Sequence, residues 1–179
     1  MRALRLAFSA AALLAATACS SGDGADTVLG NHGLEGADAR QVVEQLDRTN
    51  EDRASGLAAS VTYDEVTLID EDGDAVLPLD EFYLAVAPFS TTTHDCFHHS
   101  LSGCQGELVN EPLQVRITDD AGDVLVDEAV TTYDNGFVGF WLPKDITGTL
   151  EVSSARGTAV QDFSTSADSP TCLTTLRLA

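Results

Sequence analysis

Five of the chain's eight thiol and imidazole side chains fall within eleven residues: His94, Cys96, His98, His99 and Cys104. Sulfur and imidazole are the donors that soft and borderline metal ions prefer to oxygen, so this density points to metal or thiol redox chemistry. Seven residues separate Cys96 from Cys104. Ser100, Ser102 and Gly103 between them suit a loop that folds back and brings the two sulfurs together. A third cysteine, Cys172, lies near the C-terminus, and a fourth, Cys19, near the N-terminus.

Cys19 belongs to export. Met1, Arg2 and Arg5 precede an apolar run, Leu6 to Ala16, too short to span a bilayer comfortably, and the run closes on Ala16-Thr17-Ala18-Cys19. This is the pattern of a lipoprotein signal covering 1–18, in which Cys19 takes the lipid; an ordinary signal cleaved after Ala18 is the alternative. Residues 19–30 then read as a flexible tether. The expected location is outside the cytoplasm, anchored at the outer face of the cell membrane or in the periplasm.

With Cys19 lipidated, three thiols remain, an odd number in an oxidising compartment where a purely structural role favours pairs. Three thiolates form a trigonal set suited to Cu(I), and neighbouring imidazoles suit the harder Cu(II). Two alternatives stay open on residue types alone. Mixed Cys and His sets also hold zinc, although no paired Cys-x-x-Cys knuckles occur. Cys96 and Cys104 could also form an inert structural disulfide, with Cys172 a small buried residue and the histidines at the surface.

The elements that must position these residues are mostly strands. Apolar spacing from Ala39 through Val42, Val43 and Leu46 predicts an amphipathic helix starting near Asp38, with a further helical turn from about Glu51 to Ala58. Residues 31–60 carry too little apolar surface to fold alone, so they pack on the rest of the chain or on a second copy. From Val61 onward short β-branched runs alternate with Asp, Gly, Asn and Pro clusters. They predict seven strands at 61–69, 82–87, 113–118, 124–130, 137–142, 150–154 and 173–178. Residues 61–179 are therefore expected to be an antiparallel β-sandwich of the transthyretin or carboxypeptidase-regulatory kind, behind a short N-terminal helical segment.

Charge excludes some partners. Nine basic residues face 29 acidic ones, for a net charge of −20, and Lys144 is the single lysine. Such a surface repels nucleic acid and anionic membrane. The acidic stretch Asp70, Asp72, Asp74 and Glu81 matches positions one, three, five and twelve of an EF-hand loop, but Ala75 stands where the turn needs Gly and the run before it alternates like a strand. It reads as a hairpin turn. No Gly-x-Ser-x-Gly elbow supports a serine hydrolase.

The chain resembles the CueP family of periplasmic copper proteins across nearly the whole mature length. The resemblance rests on His32-Gly33-Leu34, Ala39 to Leu46, Phe82 to Pro88, His94-x-Cys96, Cys104-Gln105-Gly106-Glu107 and Thr171-Cys172-Leu173-Thr174-Thr175. Cys96, Cys104 and Cys172 fall on that family's three functional cysteines. The resemblance implies copper binding, reduction of Cu(II) to Cu(I), copper resistance or supply to an extracytoplasmic enzyme, and a homodimer formed through the N-terminal segment. In the expected chemistry Cu(II) meets His94, His98 or His99, and the Cys96 and Cys104 thiolates each yield one electron. Cys172 then holds Cu(I) or attacks the resulting disulfide. A storage module would instead hold copper without consuming thiols. Glu107 reads as a solvated carboxylate, and Phe97 and Trp141 as packing or cover for the site.

Overall fold

The computed structural model describes residues 22–49 and 56–179. The signal segment, Cys19 and most of the helical turn expected at 51–58 lie outside them. The fold is mainly β, with two short helices followed by three sheets.

Helix α1 spans Gly22–Asn31, where a tether was expected. The difference comes from Val28 and Leu29, which are buried against the rest of the chain and reward helix formation there. Helix α2 spans Ala39–Asp47 and begins where its sequence says it should. The Asp38 carboxylate accepts from Gln41 N at 2.9 Å while the Gln41 side chain accepts from Asp38 N at 3.0 Å, a capping box. Its apolar stripe of Val42, Val43 and Leu46 is buried, and Asp47 continues the same face.

The first sheet has the order β3-β2-β1-β5, from β1 (Ala58–Val61), β2 (Glu65–Asp70), β3 (Gly73–Pro78) and β5 (His99–Ser100). The run expected as one strand over 61–69 is broken at Thr62 to Asp64, where Thr62 N bonds Glu65 O and the chain reverses. The acidic stretch is the tight turn of the β2–β3 hairpin, with Asp70 opposite Gly73. Its carboxylates are taken by this chain's own donors. Asp70 accepts from Asn31 Nδ2 at 3.0 Å, from Asp72 N at 2.8 Å and pairs with His32 Nε2 at 3.1 Å, so the turn staples the end of α1.

A second sheet, β10-β9-β6-β7, is built from β6 (Pro112–Asp119), β7 (Val124–Thr131), β9 (Thr147–Ser154) and β10 (Gly157–Ser164). A third, β11-β4-β8, joins β4 (Phe82–Val86), β8 (Val138–Leu142) and β11 (Cys172–Leu173). Strand β4 is buried along its whole length. Its alternation divides two cores: Phe82, Leu84 and Val86 join the core of β6, β9 and β10, while Tyr83 and Ala85 join the helices, the first sheet and Cys172. The strand expected over 173–178 is shorter. After Leu173 the alternation continues with Leu176 and Leu178 buried, but pairing is reduced to a bridge between Phe89 and Arg177.

Candidate metal centre

Three separate segments deliver the cysteines. Strand β11 pairs in parallel with β4, placing Cys172 opposite Ala85. The chain leaving β4 carries His94 and Cys96, and is strapped to β11's exit by Thr174 Oγ1 bonding His94 O at 2.7 Å and Thr93 Oγ1 bonding Thr174 O at 2.5 Å. Strand β5 then pairs His99 with Val61, and a turn closes with Cys104 N on Ser100 O at 3.0 Å. Beyond it Gly106 N bonds Asn135 O at 2.7 Å. Gly106 and Gly136 cross so closely that a Cβ on either would come within 2.6 Å of the other's carbonyl oxygen. Glycine at both positions lets the Cys104 segment rest on the Asn135 turn.

The sulfurs converge. Cys96 and Cys172 are joined as a disulfide, Cα atoms 5.7 Å apart, and the Sγ of the free thiol Cys104 lies 3.4 Å from that of Cys96. This pairing differs from the Cys96 and Cys104 couple that the loop's shape suggested. The reason is the placement of β11 beside β4 and the bonds that strap the His94 segment to Thr174, which bring Cys172 to bonding distance of Cys96 while Cys104 stands 3.4 Å away. Two donor groups emerge, each with ligand atoms within 4.8 Å of one another: His94, Cys96 and Cys104 toward solvent, and His99, Cys104 and Cys172 inside. Both contain Cys104. An open depression of about 560 Å3 gives solvent access to His94, Cys96 and Cys104. The larger hollow beside Arg48 and Tyr133, about 590 Å3, offers no sulfur or imidazole.

His98 belongs to neither group; its ring lies exposed on the loop, edge-on to Phe97 at 5.0 Å. Phe97 is half exposed, and Trp141 packs against Tyr83 at 4.6 Å and donates to Glu44 at 3.2 Å. Glu107 is not simply solvated. Its carboxylate accepts from Ser90 N at 2.7 Å, Thr91 N at 3.0 Å and the Thr91 hydroxyl, and these bonds hold its pKa down at about 2. It thereby ties the segment after Cys104 to the one before His94.

The interior of the site holds Asp47, Tyr83 and Asn135, which the sequence reading missed. His99 is fully buried, with Nε2 2.6 Å from Asp47 Oδ1, and Asp47 is equally buried. Asp47 also accepts from Tyr83 OH at 2.5 Å and Asn135 Nδ2 at 2.9 Å. Burial alone would drive the His99 imidazolium to deprotonate, but Asp47 and the Cys104 sulfur outweigh it and raise its pKa to about 9. Burial likewise opposes the Cys104 thiolate, yet His99 prevails and lowers the thiol's pKa. The other ring nitrogen, Nδ1, has no hydrogen-bond partner within the protein. A buried, unpartnered imidazole nitrogen beside the Cys104 and Cys172 sulfurs is a donor set that fits a soft metal ion.

The family model for the periplasmic copper-binding protein CueP matches residues 41–177. This chain belongs to the CueP family. The solved crystal structure of S.CueP is 46% identical to it, with a TM-score of 0.82 over 86% of this chain and 96% of that one. No curated protein matches the chain. CueP membership makes copper the metal and the periplasm the setting. Among the described residues no helix is long and apolar enough to cross a membrane.

Proposed function

We propose that this protein takes up Cu(II) in the periplasm, reduces it to Cu(I) with cysteine thiols and holds the product among sulfur and imidazole donors. The observation that carries the reading is the meeting of the Cys96 and Cys104 loop with the distant Cys172, Cys104 Sγ lying 3.4 Å from a Cys96 that is itself joined to Cys172.

Copper is here substrate and cargo. His94, beside the open depression, is the entry ligand, with His98 and His99 as further imidazoles. Two Cu(II) ions each accept one electron, two thiolates supply them, and the thiolates close as a disulfide between Cys96 and Cys172. Cys104 remains as the third thiolate, able to hold Cu(I) or to attack Cys96 and reopen the pair; an external dithiol completes the reset. A lipid on Cys19 would keep this chemistry at the membrane surface, where it serves copper resistance or supply to an extracytoplasmic copper enzyme. A homodimer through the N-terminal segment is part of the same reading, although Val28, Leu29, Val42 and Val43 are already buried within one chain.

The test adds Cu(II) anaerobically to the reduced chain comprising residues 20–179, following Cu(I) with a chelating dye while counting thiols. Cu(I) appearing with loss of two thiols, abolished by Cys96→Ser, supports reduction. Copper held with all three thiols intact leaves a storage module, and no response to copper rejects the proposal.

A further inference from the structure

The buried carboxylate of Asp47 touches no sulfur and lies at the end of α2, outside the cysteine segments. We propose that Asp47 is a positioning residue of the copper site: by taking the Nε2–H of His99 it leaves Nδ1 as the ring atom that faces Cys104 and Cys172. The inference rests on the copper reading above and deepens it.

Three observations separate this role from an ordinary buried ion pair. The backbone and the ring of His99 are both held. His99 N donates to Thr171 Oγ1 at 2.9 Å, Thr171 Oγ1 donates to Val61 O at 2.8 Å, and the ring leans on Phe137 with centroids 4.6 Å apart. The carboxylate is fixed just as fully, by Tyr83 OH, Asn135 Nδ2 and His99 Nε2. Yet the network stops at Nδ1. That nitrogen makes no hydrogen bond within the protein, and a ring nitrogen of His99 lies within 4.8 Å of the Cys104 and Cys172 sulfurs. An imidazole bound to metal through one nitrogen commonly gives its other N–H to a carboxylate, and this is the arrangement that His99 and Asp47 present.

The arrangement also links α2 to the site. Asp47 follows Val43 by one helical turn, so the face that docks the helix carries the group that orients His99. Tyr83 reaches Asp47 from β4 and Asn135 from the turn under Gly106, so the carboxylate gathers the helix, the central strand and the Cys104 support onto one ring.

The test uses the chain of residues 20–179, reduced and anaerobic, with Cu(I) affinity read by competition against a chelating dye. Asp47→Asn is expected to weaken Cu(I) binding about 10- to 100-fold. Combined with His99→Ala it should weaken binding no further than His99→Ala alone, because both changes remove the same ligand. Tyr83→Phe, which deletes one hydroxyl and keeps the ring, should give a smaller loss with the same dependence on His99, and serves if Asp47→Asn fails to fold. In the metal-free protein, nitrogen-15 spectra should show a slowly exchanging His99 Nε2–H that Asp47→Asn abolishes. Equal losses with and without His99, unchanged affinity in Asp47→Asn, or a His99 ring lacking that proton would overturn the positioning role while leaving copper binding intact. Failure of the unsubstituted chain to bind Cu(I) would remove the copper reading and this one with it.

Discussion

Gly139 on β8 lies directly against the phenol of Tyr83 on β4: a Cβ at position 139 would occupy the space of the Tyr83 hydroxyl. The absence of a side chain there is what lets that hydroxyl reach Asp47. Gly139→Ala is therefore expected to push the ring aside, break its hydrogen bond to the carboxylate and overpack the core, costing about 3 kcal/mol of stability. Urea unfolding measures this, and a loss under about 0.5 kcal/mol would mean that the ring has room to move.

The sulfur geometry predicts which disulfides can exist. In oxidised protein of residues 20–179, one free thiol is expected, at Cys104. Cys172→Ser leaves Cys96 with Cys104 as its neighbour at 3.4 Å, so oxidation should join those two and leave none free. Thiol counting with peptide mapping checks both, and a persistent free thiol in oxidised Cys172→Ser would contradict the observed proximity.

Cys104 should react as a thiolate at lower pH than an ordinary thiol, because the His99 imidazolium stabilises it. Its alkylation rate in reduced protein, followed residue by residue by mass spectrometry, should level off below the usual cysteine range. His99→Ala should move that midpoint upward. His99 itself has a folded pKa raised from 6.5 to about 9, so its contribution to stability is complete below about pH 6.5 and is lost as pH rises through 9.

Glu107 carries the opposite sign. Its folded pKa is depressed from 4.5 to about 2, so its stabilising effect is present above about pH 4.5 and fades as the pH falls toward 2. The stability difference between the unsubstituted protein and Glu107→Gln should be constant near neutrality and shrink across that window. Proteolysis within residues 90–98 should be faster in the variant at pH 7, since the Ser90 and Thr91 amides lose their anionic acceptor.

The cysteine and histidine cluster was legible because rare residue types crowd a short stretch, and α2 because its cap and apolar spacing agree. Strands β6, β7 and β9 followed their alternation within a few residues. What escaped has physical causes. Strand β10 places Ala159 and Phe163 inward among polar residues, too thin a pattern to stand out. Strand β3 was absorbed into an acidic turn. Asp47 looked like one more carboxylate on an acidic surface, although a signal was present: it falls on the buried stripe, four residues after Val43, where a charge needs a partner. Which cysteine pairs with Cys96 depends on the parallel placement of β11 beside β4, a contact between residues far apart in the chain that local spacing does not encode.

The bond from Cys96 to Cys172 spans 76 residues and closes a ring of chain that contains the whole of the second sheet together with β5 and β8. Closing a ring of that size withdraws about 4 kcal/mol of freedom from the unfolded chain. The electrons kept at the sulfurs thus also govern how tightly the molecule is laced. Reduced, the polypeptide is an open thread held only by its packing; oxidised, the stretch that forms the second sheet is a closed loop. A periplasmic protease would meet two different substrates.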